Sequence, residues 1–192
     1  MSRWSVAESG VARFWFVRWL SAYGVFSLAL AACSDASGVE PVQRVSSPLT
    51  VAENWALAPT EGDPFGQYVD GRIPCSPFDL RREASWLEVS TVSCNYASLL
   101  HQFSEDVPAG SVIRGQVAWA TLASLAPAVG TLAFATADGV LWSHDVDIPG
   151  QADIVDVQFV LSQAALAGSG LYFHVRNHGY NTWQLGPLTL ER

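Results

Sequence analysis

The sequence contains no lysine: all ten of its basic residues are arginines, and charged residues make up 15% of the chain. Its formal net charge at pH 7 is −8. A protein that binds nucleic acid needs a basic face to meet the phosphates, and anionic membrane surfaces attract clusters of basic residues. The composition therefore excludes nucleic acid as a partner and disfavours electrostatic binding to anionic lipid.

Enzyme signatures are also missing. The chain has no G-x-S-x-G turn, no H-E-x-x-H motif and no glycine-rich phosphate loop. Ser143, His144 and Asp145 are adjacent, but neighbouring residues of a strand face opposite sides, so they cannot form a catalytic triad. Asp145 and Asp147 share a face, and a glycosidase needs two carboxylates across a cleft, so a hydrolase acting on glycans remains an alternative. We predict no catalytic residues and no cofactor.

The N-terminal apolar run is too short for a membrane-spanning helix, which needs about 20 apolar residues. The uncharged stretch 19–32 has only fourteen residues and follows Arg3, Arg13 and Arg18. A basic segment followed by a short apolar segment is typical of a secretory signal peptide.

Residues 30–33, with the sequence LAAC, end this stretch and resemble the lipobox, the cleavage and acylation site of bacterial lipoproteins. The resemblance implies that residues 1–32 are a signal peptide and that Cys33 becomes the first mature residue, carrying lipid chains such as palmitate. An ordinary secretory signal or an N-terminal anchor helix, with Cys33 incidental, is the alternative. Ser34 follows the cysteine, where an Asp often retains lipoproteins at the inner membrane, so the outer membrane is favoured.

The lipobox resemblance implies a cell-envelope protein, attached to a membrane through lipid on Cys33 and facing the periplasm or the cell surface. Removing residues 1–32 takes away three arginines and Glu8, which changes the net charge from −8 to −10. In an oxidising compartment, the remaining Cys75 and Cys94 are predicted to form a disulfide. Metal ligation and a reactive thiol pair are the alternatives, but no CxxC spacing supports either.

Residues 33–62 are predicted to be the lipidated cysteine and a disordered tether. Ser, Ala, Pro, Glu and Thr dominate this stretch, and such a composition buries too little apolar surface to offset its ordering entropy. Trp55 and Leu57 are exceptions that suit docking on the domain as an extended segment. Residues 63–192 are predicted to form one domain, irregular up to Asp79.

From Trp86 onward, short β-rich runs alternate with turn signals at the spacing of a sandwich or barrel. In 153–161, one side of the strand carries Val155, Val157, Phe159 and Leu161, and the other side carries the polar Asp156 and Gln158. Strands are predicted near 86–92, 95–103, 111–120, 130–137, 140–148, 153–161, 170–177 and 183–190. These elements predict an all-β fold, an antiparallel β-sandwich of about eight strands that is jelly-roll-like.

The segment 174–183, HVRNHGYNTW, joins the end of one predicted strand to the start of the last. It resembles the HNHGxNxW ending of uncharacterised jelly-roll domains in bacterial lipoproteins, and the stretch from Cys75 to Cys94-Asn95-Tyr96 fits the same group. Arg176 stands where that pattern often has another residue. The resemblance implies a fold and a location but carries no activity. The predicted sandwich is also similar in shape to carbohydrate-binding modules, an analogy of fold alone.

This segment combines hydrogen-bond donors, acceptors and aromatic rings, the mixture that sugars need. The predicted ligand-binding residues are His174, Arg176, Asn177, His178, Tyr180, Asn181 and Trp183. In the structural alternative, the asparagines close turns, Gly179 holds a positive φ and Trp183 packs in the core. Tyr172, His174 and Arg176 also form a polar stripe, which is either a solvated face or a shallow ligand groove.

The sequence therefore predicts a membrane-anchored, non-catalytic envelope lipoprotein whose sandwich binds a ligand, with a glycan as the leading class. A structural or protein-interaction lipoprotein is the alternative, and a glycan-active hydrolase is the second alternative. An exposed aromatic platform beside 177–183 would favour a glycan ligand. A flat apolar patch would favour a protein partner, and paired carboxylates in a cleft would favour the hydrolase. Asp145, Asp147, Asp153 and Asp156 flank one turn but match no known calcium loop, so no metal is predicted.

Overall fold

Twelve strands and two short 3-10 helices form the regular structure of the computed structural model, which describes residues 45–66, 71 and 73–192. The predicted signal peptide, the lipobox-like residues and Cys33 lie outside the described residues. Among the residues described, no helix is long and apolar enough to cross a membrane. The 3-10 helices are Ala52–Asn54 and Pro77–Asp79. The strands are β1 Ser46–Pro48, β2 Ala56–Leu57, β3 Leu80–Glu83, β4 Trp86–Ser90, β5 Tyr96–Gln102, β6 Val112–Trp119, β7 Ala128–Thr136, β8 Gly139–Ile148, β9 Asp153–Val160, β10 Gly170–Arg176, β11 Thr182–Leu185 and β12 Thr189–Glu191.

The strands form two antiparallel sheets. The seven-stranded sheet has the order β1-β12-β6-β11-β4-β3, with β9 on the other side of β6, and the five-stranded sheet has the order β2-β5-β10-β7-β8. With β11 and β12 taken as one interrupted strand, the longer strands divide as β4, β6, β9 and β11/β12 in one sheet and β5, β7, β8 and β10 in the other. This is the two-sheet arrangement of a jelly roll. The predicted antiparallel β-sandwich is confirmed.

The inner faces of the two sheets supply one core of alternating apolar residues. On β10, Leu171, Phe173 and Val175 are buried and point inward. On the opposite sheet, Trp183 and Leu185 of β11 belong to the same cluster. Each such side chain contributes about 1.5–3 kcal/mol when it leaves water, so the alternation of the sequence fixes which face of each strand is turned outward.

The domain starts earlier than predicted. β1 pairs with β12 and β2 pairs with β5, while the Trp55 indole is fully buried against Phe173. The Arg82 guanidinium donates hydrogen bonds to the carbonyls of Ala52 (3.2 Å) and Trp55 (3.0 Å). The expected docking of Trp55 and Leu57 is therefore observed, and the predicted tether is wrong for residues 45–62, because Trp55 buries enough surface to order the segment around it.

Two cysteines hold the irregular segment before β3 against the start of β5. The predicted disulfide between Cys75 and Cys94 is confirmed, with Cα atoms 4.9 Å apart. Asp79 reinforces the connection, since its carboxylate accepts hydrogen bonds from the Ser93 hydroxyl (2.6 Å) and from the Ser76 N–H (2.7 Å). The Ser93 hydroxyl, followed by the Ser76 donors, lowers the pKa of Asp79 below its usual value.

Candidate functional site

The outer face of the five-stranded sheet carries a trough that follows β7. The outward residues of β7 are small: Thr131, Ala133 and Ala135. Larger residues stand in register on both sides, with Arg176, His174 and Tyr172 on β10 and Asp145, Ser143 and Val140 on β8. Neighbouring strands lie about 4.8 Å apart, so the two flanking columns are separated by the width of two strand spacings.

A register shift between Phe134 and Ala135 completes one end of this trough. The bulge pairs Ala135 with Val140, which turns the Val140 side chain to the outer face, where it is exposed. A cavity of about 280 Å³ occupies the trough, which is called the outer groove from here on. Its lining residues are Phe65, Thr131, Ala133, Val140, Ser143, Asp145, His174 and Arg176.

Phe65 forms one wall of the outer groove, although it comes from a turn far away in sequence. Its ring stacks on the His174 imidazole with centroids 4.3 Å apart, and the Tyr96 ring meets the same imidazole edge-on at 4.9 Å. Asp63 anchors the turn: its carboxylate accepts hydrogen bonds from the Phe65 N–H (2.9 Å), the Ser98 hydroxyl (2.9 Å) and the Tyr96 hydroxyl. The wall is therefore tied to the sheet by side-chain hydrogen bonds.

The polar end of the outer groove contains one cation and one carboxylate. Arg176, Thr131 and Asp145 occupy one row across β10, β7 and β8. The Thr131 hydroxyl donates a 2.7 Å hydrogen bond to Asp145. Arg176 Nε is buried and has no hydrogen-bond partner within the described chain. The row thus offers guanidinium donors at one side and carboxylate acceptors at the other.

Besides His174, which is 2% exposed under the Phe65 ring, three of the predicted ligand-binding residues lie beneath the surface. Trp183 is 0% exposed in the core, and its ring leaves room only for glycine at position 130, where an added Cβ would lie 2.8 Å from the indole. The Asn177 side chain donates to the Thr91 hydroxyl (2.7 Å), and the Asn181 side chain donates to the side-chain oxygen of Asn177 (2.8 Å). These side chains support the loop rather than line a groove, which corrects the prediction for all three.

The other two residues of that loop line a second, larger groove at one end of the sandwich. His178 and Tyr180 are exposed there, with Tyr180 at 74%, beside an open cavity of about 830 Å³. Its rim carries the exposed apolar side chains of Ile73, Val92 and Leu125. We call this the loop-end groove. The loop-end groove combines an exposed aromatic ring, which favours a glycan, with an apolar patch, which favours a protein partner. Its lining therefore does not decide between these two ligand classes.

The loops around the loop-end groove are tied together by side-chain amides. Asn181 accepts a hydrogen bond from the Ala123 N–H (2.8 Å), and Asn95 accepts one from the Ile73 N–H (2.6 Å). Gly179 has φ +94°, and an added Cβ would lie 2.1 Å from the Ala123 carbonyl oxygen, so no other residue fits this approach. These contacts connect the loop to its neighbours and leave His178 and Tyr180 exposed at its tip.

A metal centre finds no support in the described residues. The one group of three potential ligands there is Cys75, Asp79 and Cys94, but the two sulfurs are joined in the disulfide. Metal-binding cysteines ligate as thiolates, which a disulfide does not offer. The Asp145 carboxylate belongs to the outer groove instead.

Sequence reasoning located part of the outer groove and missed the rest. The stripe of Tyr172, His174 and Arg176 follows from alternation along β10 and is found on the outer face. Thr131 has no signal in the sequence, and Ser143 is considered there only within a rejected triad, because the place of both depends on the cross-strand register of β7 and β8. Phe65 had no signal beyond an aromatic residue within a turn-rich stretch.

Comparisons with known proteins give no family for this chain. No protein-family model matches it, and no curated protein matches it. Among solved structures, it is similar to the C-terminal family 6 carbohydrate-binding module of LamC, a marine laminarinase from Zobellia galactanivorans, at 14% identity, 77% of this chain, 100% of that chain and TM-score 0.41.

Two further solved structures show a likeness of the same degree. One is a mutant of a family 29 carbohydrate-binding module, at 7% identity, 78% of this chain, 92% of that chain and TM-score 0.46. The other is the K3 adhesin domain of Lys-gingipain from Porphyromonas gingivalis, at 10% identity, 74% of this chain, 94% of that chain and TM-score 0.45. No residue role is transferred from any of them.

Proposed function

We propose that this protein is a lipid-anchored, non-catalytic β-sandwich of the bacterial cell envelope, and that its outer groove binds a glycan. The observation that carries the proposal is the row of Arg176, Thr131 and Asp145 beside Ala133, which lines the floor of the groove. Ligand sites combine an apolar lining with a few placed polar groups, and this groove has both.

The donors and acceptors of the groove match those of sugar hydroxyls. Arginine only donates hydrogen bonds and an ionised aspartate only accepts them, whereas a hydroxyl does both. Ala133 lines the floor of the cavity beside Thr131. Ala135 is fully buried and packs with Phe65 and Tyr172 in a small apolar cluster next to it. Phe65 is 2% exposed, so it shapes the wall and does not act as a stacking platform.

Neither groove has the pair of carboxylates that glycoside hydrolysis requires among its described lining residues, which favours binding over hydrolysis. A glycosidase needs two carboxyl groups that flank the scissile bond. Asp145 is the one carboxylate among the described residues that line the outer groove, and the described lining of the loop-end groove has none. The proposal therefore assigns no catalytic role.

A glycan array with the full-length protein in detergent tests the proposal. Binding to at least one oligosaccharide is expected, and Ser143→Trp should abolish it, because the exposed Ser143 points into the groove. Val160→Trp is the matched control, since Val160 is exposed on β9 of the other sheet. Absence of binding to every glycan, or equal binding by Ser143→Trp, would contradict the proposal.

The membrane anchor is proposed from the lipobox resemblance of residues 30–33. Cys33→Ala should leave unprocessed precursor and remove labelling by a radioactive fatty acid, with Cys75→Ala as the control that keeps its label. Equal labelling of Cys33→Ala and the unaltered protein would remove the anchor from the account. Ser34→Asp should move a labelled protein towards the inner membrane.

A protein partner at the loop-end groove is a second candidate function. The chain enters the sandwich at Val45, next to the β12–β6 pairing at Val112, whereas the loop-end groove follows the other end of β6 at Trp119. The seven residue steps between them correspond to about 23 Å of strand. The exposed apolar rim therefore lies at the opposite end of β6 from Val45, and its apolar side chains suit a protein partner.

A further inference from the structure

We infer that the outer groove selects uncharged glycans with two adjacent free hydroxyl groups, and that Arg176 and Asp145 hold one sugar ring between them. This inference rests on the proposed glycan binding and names the substrate class of that same groove. It concerns selectivity, which the proposed function leaves open.

The first support is the separation of the two charged residues. Arg176 and Asp145 stand in one row with Thr131 between them, so their Cα atoms are about 9–10 Å apart at ordinary strand spacing. The ion pairs found among the described residues are Arg114–Glu191 and Arg192–Glu105. Arg176 and Asp145 therefore do not close on each other, and the space above Thr131 stays open between a cation and an anion.

The second support is the division of hydrogen-bonding roles across the row. Arg176 can donate to one hydroxyl of a sugar, and Asp145 can accept from the next hydroxyl of the same ring. The Thr131 hydroxyl already donates its proton to Asp145, so the Thr131 oxygen can serve a ligand only as an acceptor. Hydrogen bonds to charged groups contribute more than those between neutral groups. Two adjacent hydroxyls therefore give both Arg176 and Asp145 a hydrogen-bond partner on the same sugar ring.

The third support is what the row disfavours. A carboxylate or sulfate group that met Arg176 would also face Asp145, and like charges at this range repel. An amino sugar that met Asp145 would face Arg176 in the same way. Apart from the His174 imidazole, which is buried under Phe65, the other lining residues carry no charge: Phe65, Thr131, Ala133, Val140 and Ser143. A neutral sugar ring is thus the ligand that both Arg176 and Asp145 can hydrogen-bond without charge repulsion.

The test compares oligosaccharides that differ in a single group per residue. Hexagalacturonate and hexamannuronate are each paired with their carboxyl-reduced neutral forms, and binding is measured by calorimetric titration of the full-length protein in detergent. Neutral forms should bind at least tenfold more tightly than the matched uronates. Asp145→Asn should lower the ratio of neutral to uronate affinity at least threefold, because asparagine keeps an acceptor for the Thr131 hydroxyl and removes the negative charge.

The control separates the local effect from the overall negative charge. Asp156→Asn makes the same charge change on the outer face of the other sheet, where Asp156 accepts a 2.9 Å hydrogen bond from Gln116, and it should leave the ratio unchanged. Arg176→Lys should weaken neutral binding, since lysine keeps the charge but loses the planar set of donors. Melting curves establish that each variant is folded.

Two results would overturn the inference while leaving glycan binding intact. One is tighter binding of the uronates than of their reduced forms by the unaltered protein. The other is an equal change of the ratio in Asp145→Asn and Asp156→Asn. Absence of binding by any oligosaccharide on the array would instead contradict the proposed function itself.

Discussion

The ring of Phe65 lies flat on the imidazole of His174, with ring planes 15° apart and centroids separated by 4.3 Å. His174 belongs to the middle of β10, and Phe65 belongs to a turn that precedes the disulfide. Their contact turns a flat sheet face into a groove with a wall. The geometry of the proposed site therefore depends on the turn that Asp63 holds in place.

Loss of the Asp63 carboxylate should loosen this wall. Asp63→Ala leaves the Tyr96 and Ser98 hydroxyls without their acceptor, and we expect a loss of about 1–3 kcal/mol in the free energy of unfolding, together with weaker glycan binding. Urea denaturation and titration measure the two effects. Asp153→Ala is the control, because the Asp153 carboxylate accepts only from the adjacent Ile154 N–H among the described contacts. An Asp63 variant as stable as this control would contradict the role given to Asp63.

Truncation of Trp183 should destabilise the protein much more than truncation of Tyr180. Trp183→Ala removes a fully buried indole and should cost about 3–5 kcal/mol. Tyr180→Ala removes an exposed ring and should cost under about 1 kcal/mol. Chemical denaturation of both variants measures the difference. A Trp183 variant as stable as the unaltered protein would show that this indole does not support the core.

The disulfide should contribute to stability because it closes a loop. Cys75 and Cys94 are 19 residues apart, and the chain-entropy estimate for such a loop is about 3 kcal/mol. Protein purified without reductant should show no alkylation of either thiol by intact mass, and two additional adducts after reduction. The variant with both cysteines changed to serine should unfold at lower urea. Two free thiols in the native protein would contradict the bridge.

His101 should make the sandwich less stable in mild acid. Burial lowers the pKa of the His101 imidazole below its usual value, and a hydrogen bond to the Asn54 backbone offsets part of that effect. The unfolded chain then binds more protons than the folded one below about pH 6.5, so stability is present above that pH and is lost as the pH falls towards the lowered pKa.

Unfolding of His101→Leu and His178→Gln across pH 5–8 tests this dependence. His101→Leu should flatten the fall in stability below about pH 6.5, because the titrating group is gone. His178 is exposed at the loop tip, so His178→Gln should retain the slope of the unaltered protein. The same slope in all three proteins would mean that His101 does not cause the acid sensitivity.

The strands were predictable where apolar and polar residues alternate over a long run of the sequence. The predicted strand 153–161 corresponds to β9, Asp153–Val160, because each second residue is apolar over the whole run. Strands β1 and β2 have three and two residues, too few to show a period, and their order comes from pairing and from the burial of Trp55. The predicted strand 183–190 is two strands, since Gly186 and Pro187 interrupt it.

The outer groove was only partly predictable, for a related reason. Alternation on β10 places His174 and Arg176 on one face without any knowledge of the neighbouring strands. Their proximity to Asp145 depends on the register of β7 and β8, which includes a bulge at Phe134/Ala135 that no local pattern marks. The buried roles of Asn177 and Asn181 depend on Thr91, a residue 86 positions away from Asn177 in the chain.

The measurement that tests the central claim most directly is the position of a bound oligosaccharide on the protein. Backbone amide shifts are recorded by NMR for the full-length protein in detergent, during titration with the tightest neutral glycan found on the array. We expect the largest shifts at Thr131, Ala133, Ser143 and Arg176, with little change around His178 and Tyr180. Shifts confined to the loop-end groove, with the outer groove unchanged, would contradict the account.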